Sequence, residues 1–393
     1  MKKDKIYKFF SLVGEYGFYG LLFSLPISIA LVEFCAVLML FSFIGRQVIK
    51  PNFKYLKFWP NIFLLFFLLF SLISLFNSGQ YLGKSLNALF GKWLQYLGIC
   101  IIAQDIAYDK KIFKKGLLSF LFGATLAVFS GLSQYFFGLE FLRQRNLVMT
   151  NKGMRAITSS FVHYNGFGGY LVVVLSFLFG FLLSTKKFRV KASFLLILTI
   201  FSAVAVLLTL SRGSWIGLSA AFILLLIFSG RNIIRLSPIF LTLVVMFLLP
   251  TFHERLIFIF KEGGDSDRFR YWLSAWRMIS EHPFLGMGVG TFMANFSKFL
   301  PNSNVSYAHN CYLQIWAEAG IFSLISFLGF IFSFAYLCIK KFLVSQDFLL
   351  LGLLAGIVGF LVHSFFEVNF YSLQLAVLFW VWVGLAISRI QNE

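Results

Sequence analysis

Apolar runs of about 17 to 25 residues recur along almost the whole chain, and no other feature restricts its fold so severely. A run of that length covers roughly 30 Å of hydrocarbon as an α-helix, and only helices and closed barrels satisfy every backbone N–H and C=O inside a bilayer. About twelve runs are present, near 8–25, 28–45, 59–76, 86–104, 115–137, 161–184, 192–210, 213–229, 236–250, 309–338, 348–366 and 370–388. Composition agrees, because 59% hydrophobic residues, 54 phenylalanines and 12% charged residues cannot cover a soluble globular surface. The expected fold class is an all-α polytopic membrane protein. Transmembrane helices 1–9 would occupy residues 1–250, a large loop with amphipathic helices 251–308, and helices 10–12 residues 309–393.

Basic residues orient such a chain, since short cytoplasmic loops collect Lys and Arg. Lys2, Lys3, Lys5 and Lys8 make the N-terminus cytoplasmic. With twelve spans the same side receives the clusters at 46–57, 110–115 and 186–191, Arg231 with Arg235, Lys340 with Lys341, and Arg389, so both termini are expected inside. No cleavable signal peptide is evident. Two translocated segments break the pattern. Residues 138–160 carry Arg143, Arg145, Lys152 and Arg155, and the long loop carries Arg255, Lys261, Arg268, Arg270, Arg277 and Lys298. Basic charge on that side opposes the topological bias, and guanidinium groups there suit lipid headgroups, phosphate or diphosphate; interfacial snorkelling is the competing explanation. Nucleic acid is excluded as a partner because these charges face away from the cytoplasm, whereas membrane lipids are implied throughout.

Cys35, Cys100, Cys311 and Cys338 have no paired spacing and read as small core residues. No metal-binding, P-loop or nucleophile-elbow pattern occurs. The segment GMGVG (Gly286, Gly288, Gly290) reads as a flexible turn, with a phosphate cradle as the alternative. In RFRYWLSAWRMI, Phe269, Trp272, Trp276 and Ile279 recur at helical spacing with Arg270 and Arg277 on other faces, which predicts a helix lying in the membrane interface above a cavity.

Ionisable groups at the outer ends of spans are costly there and mark functional cavities. Arg212 falls at the outer turn between the seventh and eighth runs, where Ser211 and Gly213 leave room for a bound anion; the alternative is a snorkelling anchor. His309 and Asn310 open the tenth run, with Gln314 four residues past Asn310 and Glu318 nine past His309. Nine residues of helix rise about 13 Å, so spacing alone does not bring Glu318 to His309, and its carboxylate suits a helix anchor equally. His163 and Asn165 form a third polar intrusion. Lys92, Glu33, Asp105 and Glu367 receive no role.

The segments SRGSWIGL, DRFRYWLSAWRMISEHPFLGMGVGTF and HNCYLQIWAEAGIFSL, in that order, resemble the O-antigen ligase and polymerase superfamily of bacterial envelope glycosyltransferases, and FVHYNGFGGYL is similar to an earlier signature of the same family. His163 and Tyr164 stand where that signature commonly has proline. The resemblance covers roughly residues 150–370; the first 150 match in topology only.

It implies a GT-C-like enzyme of the inner membrane with its site facing the periplasm. Such an enzyme takes a glycan from an undecaprenyl-diphosphate carrier, without metal or other cofactor and with inversion. In a ligase, the preferred reading, the acceptor is a sugar hydroxyl of lipid A-core; in a polymerase it is another carrier-linked repeat unit. By motif match His309 would be the general base, and Arg212 and Arg268 would stabilise the diphosphate leaving group. Arg270, Asn310, Glu318, His163, Asn165, Arg143 and Arg145 are further substrate-binding candidates. A metal-dependent reading of Asp265 and Asp267 is weaker, because this DSD lies outside and beside arginines and suits helix capping. A lipid-linked glycan flippase is the alternative from another class. It would line the bilayer midplane with charge, whereas here the basic groups cluster at one outer level.

Overall fold

Helix ends in this chain are set by side chains that satisfy the orphan backbone groups of each first turn. Asp109, Ser211, Asn310 and Asp347 all sit in extended conformation and accept from amides two or three residues on, a contribution of about 0.5–2 kcal/mol per cap. The computed structural model describes residues 2–149, 153–184, 190–230, 266–300 and 307–392. In order come α1 (Lys2–Ser24), α2 (Ile29–Ile49), α3 (Asn61–Ile73), α4 (Leu82–Ala88), α5 (Leu94–Ile106), α6 (Lys110–Phe137), α7 (Tyr164–Ser184), α8 (Val190–Leu208) and α9 (Arg212–Ser229). Then follow α10 (Ser266–Glu281), α11 (Phe292–Phe299), α12 (Cys311–Ser345), α13 (Phe348–His363) and α14 (Leu373–Gln391). A two-stranded antiparallel ribbon, β1 (Val148–Met149) with β2 (Arg155–Ala156), lies between α6 and α7.

Among the described residues, seven helices are long and apolar enough to cross a membrane, and three shorter ones are apolar as well. The chain is a multi-pass membrane protein whose described residues are helical apart from the short ribbon and the connecting turns. The run at 236–250 lies outside the described residues, as do Lys152, Lys186, Lys187, Arg189, Arg231, Arg235, Arg255, Lys261 and Asp265. The run at 86–104 is not one regular helix: a π-helical turn at Leu89–Trp93 joins α4 to α5.

Burial separates central from peripheral helices. The apolar window of α7 is 89% buried and that of α14 83%, against 28% for α2, whose remaining apolar surface is left to lipid. Apolar side chains gain nothing by moving from lipid to protein, so helices associate where small residues let backbones approach. Around α13 this is literal. A Cβ on Gly180 of α7 would lie 2.4 Å from Gly352 Cα, and one on Gly217 of α9 would lie 2.6 Å from the Gly359 carbonyl. Gly180→Val and Gly217→Val are each expected to destabilise the bundle by about 1–3 kcal/mol through overpacking. A lowered Tm of detergent-solubilised protein checks this, and wild-type melting would contradict it.

The helix expected in the long loop is present as α10. Ile279 is buried with Ala275 and Met278, whereas Phe269 is 70% and Trp276 50% exposed; Trp272 packs edge-on against Phe365. Periodicity therefore marks the helix but cannot say which apolar stripe meets protein.

Candidate active site

Three segments distant in sequence converge on the loop between α13 and α14. At its centre is Glu367, 8% exposed. Its Oε1 accepts from Arg268 Nη2 at 2.9 Å and from Asn165 Nδ2, and its Oε2 lies 3.2 Å from His309 Nδ1. One buried carboxylate thus gathers α7, α10 and the start of α12.

Local structure aims each partner. Asn310 caps α12 with its Oδ1, accepting from Tyr312 N at 2.9 Å and Leu313 N at 3.0 Å. The residue before it, His309, has φ of +49°, a left-handed conformation uncommon for a non-glycine residue. Cys311 ties this turn to the Glu367 loop, its N donating to Ser364 O and its Sγ to Glu367 O. Arg268 lies in the first turn of α10, and Tyr271, one turn on, packs its ring 5.9 Å from that of His309.

Electrostatics decide the protonation pattern. Burial by itself pushes the Glu367 carboxyl up, but the His309 hydrogen bond and the charges of His309 and Arg268 outweigh it and hold the group below the ordinary carboxylate range. An ionised Glu367 requires a proton on His309 Nδ1. In the neutral ring the lone pair then sits on Nε2, the arrangement of a positioned base.

The other candidates fall into two sets. Arg212 is the first residue of α9, and a Cβ on Gly213 beside it would meet His363 and Phe366, so this helix start abuts the Glu367 loop. Arg270 is exposed, and His163 is exposed at the rim with its ring centroid 4.0 Å from that of Tyr164. Arg143 and Arg145 lie in a turn organised by Glu140, whose carboxylate accepts from their backbone amides, and Arg145 Nε donates to Ser160 O at 3.0 Å. Asn310 is 2% exposed, and its oxygen is occupied by capping.

Glu318 points elsewhere. Its Oε2 accepts from Gly290 N and Tyr371 Oη, both at 2.9 Å, and its Oε1 from Phe292 N at 3.1 Å. Gly286, Gly288 and Gly290 have φ of +69°, +103° and +75°, so GMGVG is a turn. It is packed rather than flexible: a Cβ on Gly286 would lie 2.3 Å from Glu318 O. Opposite it, α12 breaks at Gly320, with φ of +82°. Glu318→Ala leaves the buried Phe292 amide and the partly buried Gly290 amide unpaired, at about 1–3 kcal/mol for the buried one. A clear drop in Tm is expected with activity per folded molecule falling less than for His309 variants; an unchanged Tm would contradict this role.

Glu367 received no role from sequence because an acid at the end of a span is unremarkable in isolation. The one available signal was an acid in a very short segment, FFEVNFY, between two apolar runs.

Residues 197–328 match the O-antigen ligase family model. That segment contains Arg212, Arg268, Arg270, His309, Asn310 and Glu318 and ends before Glu367. The match covers about a third of the chain and includes the three late motifs that carry the resemblance. The family covers ligases and polymerases, membrane glycosyltransferase-like enzymes with lipid-linked glycan substrates. None of the curated proteins compared with the chain matches it.

Proposed function

We propose that the chain transfers a glycan from an undecaprenyl-diphosphate carrier to a sugar hydroxyl of lipid A-core, at the periplasmic face of the inner membrane, with both termini in the cytoplasm. The observation that carries this reading is the buried Glu367 carboxylate shared by His309 Nδ1 and Arg268 Nη2. It couples a base to an anion-binding cation in one constellation.

In the proposed step the acceptor oxygen attacks the anomeric carbon and gives its proton to His309 Nε2. The glycosidic bond forms as the bond from the anomeric carbon to the diphosphate oxygen breaks, with inversion, and the electron pair leaves on the diphosphate. Glu367 holds the ring in the correct tautomer and stabilises the imidazolium that results. Arg268 and Arg212 meet the charge accumulating on the leaving group. A guanidinium has five donors, so the bond from Arg268 to Glu367 leaves capacity for phosphate oxygens. Arg270, His163, Arg143 and Arg145 are assigned to substrate binding in this reading. Asn165 acts through Glu367.

Purified protein given carrier-linked repeat units, with and without lipid A-core, tests the reading. Glycan appearing on lipid A-core supports the ligase. Chain extension without lipid A-core would show a polymerase instead, and no transfer under either condition would overturn the proposal.

A further inference from the structure

The Glu367 loop is joined to the start of α9 by one buried side chain that the mechanism above does not use. His363, the last residue of α13, is fully buried. Its Nδ1 lies 2.9 Å from Asn369 Nδ2, and its Nε2 lies 3.3 Å from Ser214 Oγ. Donor accounting settles the direction of both contacts. Ser364 Oγ donates to Phe360 O and so accepts from Asn369 Nδ2 at 2.9 Å. The second hydrogen of that amide goes to His363 Nδ1, which is therefore an acceptor. Nε2 then carries the proton and donates to Ser214 Oγ, which donates in turn to Ser211 Oγ at 2.9 Å. Ser211 is the N-cap of α9, and Arg212 is the first residue of that helix.

The space around the ring is equally specified. A Cβ on Gly169 would lie 2.8 Å from His363 Nδ1, one on Gly213 3.0 Å from Cδ2, and one on Gly217 3.2 Å from Cβ. Glycines from α7 and α9 thus form a slot for a planar ring that must also hydrogen-bond at both nitrogens. A phenylalanine would fill the slot but leave an Asn369 N–H unpaired in the interior and take from Ser214 Oγ the donor that His363 supplies, although its bond to Ser211 Oγ remains.

From this geometry we propose that His363 is a positioning residue for the transfer reaction: its neutral imidazole fixes the first turn of α9, and with it Arg212, against the loop that carries Glu367. The assignment rests on the functional reading above. It differs from that of His309 because His363 touches no reacting atom. It acts on the distance between the cation at the helix start and the base-orienting carboxylate, and a misplacement of about 1 Å in such a constellation costs on the order of 10² in rate.

The test uses the full chain in nanodiscs, with undecaprenyl-diphosphate-linked repeat units and lipid A-core. For folded His363→Phe, kcat is expected to fall about 10²-fold while the acceptor KM changes less than about threefold. His363→Gln, whose amide can still reach Ser214, is expected to recover part of that loss. Ser214→Ala removes the same link with far less disturbance and is expected to lower kcat in the same direction; it carries the test if His363→Phe does not fold. A role confined to stability would lower Tm and leave kcat per folded molecule unchanged. Wild-type kcat in folded His363→Phe, or in Ser214→Ala where only that variant folds, would overturn the assignment and leave the functional reading standing. Absence of transfer by the wild-type protein, with and without lipid A-core, would instead overturn the functional reading, and this assignment with it.

Discussion

Replacing His309 is expected to lower glycan transfer by about 10²–10⁴-fold, the usual contribution of a positioned general base. Asparagine is the better replacement, because the backbone at this position has φ of +49° and asparagine tolerates the left-handed region where alanine is strained. His309→Asn therefore removes the imidazole while sparing the turn that leads into α12. The loss should appear in kcat, with folded yield and melting behaviour close to wild type, since the His309 side chain is 29% exposed and caps no helix. Transfer retained within about tenfold of wild type would remove His309 from the role of base, because a base of this kind contributes at least about 10².

Glu367→Gln is expected to be nearly as damaging, although it changes a single atom. The amide can still bridge Arg268 and His309, but through its carbonyl oxygen on one and its NH₂ on the other. If the NH₂ faces His309, Nδ1 must accept, the proton moves to Nε2, and the ring can no longer take a proton from the acceptor hydroxyl. A wrong tautomer of this kind costs on the order of 10⁴ in a serine protease triad, and about 10²–10⁴ is expected here. A pH signature accompanies the loss. The carboxyl of Glu367 is held below its ordinary range, so the stability it contributes is present above the ordinary Glu pKa and disappears as the pH falls through the lowered folded-state value. Wild-type Tm should fall across that acid window, and Glu367→Gln should show a shallower fall there. Parallel curves for the two proteins would place the carboxylate outside the linkage, and undiminished transfer by the variant would remove it from the mechanism.

Much of the helical plan was legible in the chain because hydrocarbon admits few backbone solutions. Apart from 236–250, and from 86–104, which α4, a π-helical turn and α5 share, every apolar run overlaps one described helix. The polar residues at helix starts were legible too, since Arg212, Arg268 and His309 interrupt apolar or aromatic sequence and stand out against it. Two kinds of information were hidden. The stripes of α10 could not be assigned, because lipid and protein both receive apolar side chains and the same periodicity serves either. The partners of buried polar groups could not be assigned either. Glu318, near His309 in sequence, faces Gly290 and Tyr371, while Glu367, 58 residues from His309, sits 3.2 Å from it.

The sequence by itself determined a polytopic helical membrane protein, the helix starts where polar side chains cluster, and a set of motifs that resemble those of one superfamily. Only the tertiary structure decided that the α13–α14 loop is where α7, α9, α10 and α12 meet. Periodicity is a property of one helix at a time, and it reports what each face avoids. Which carboxylate a histidine meets depends on how glycine-lined helices stack and on which loop their stacking leaves in the middle, and that is a relation between segments that no single segment encodes.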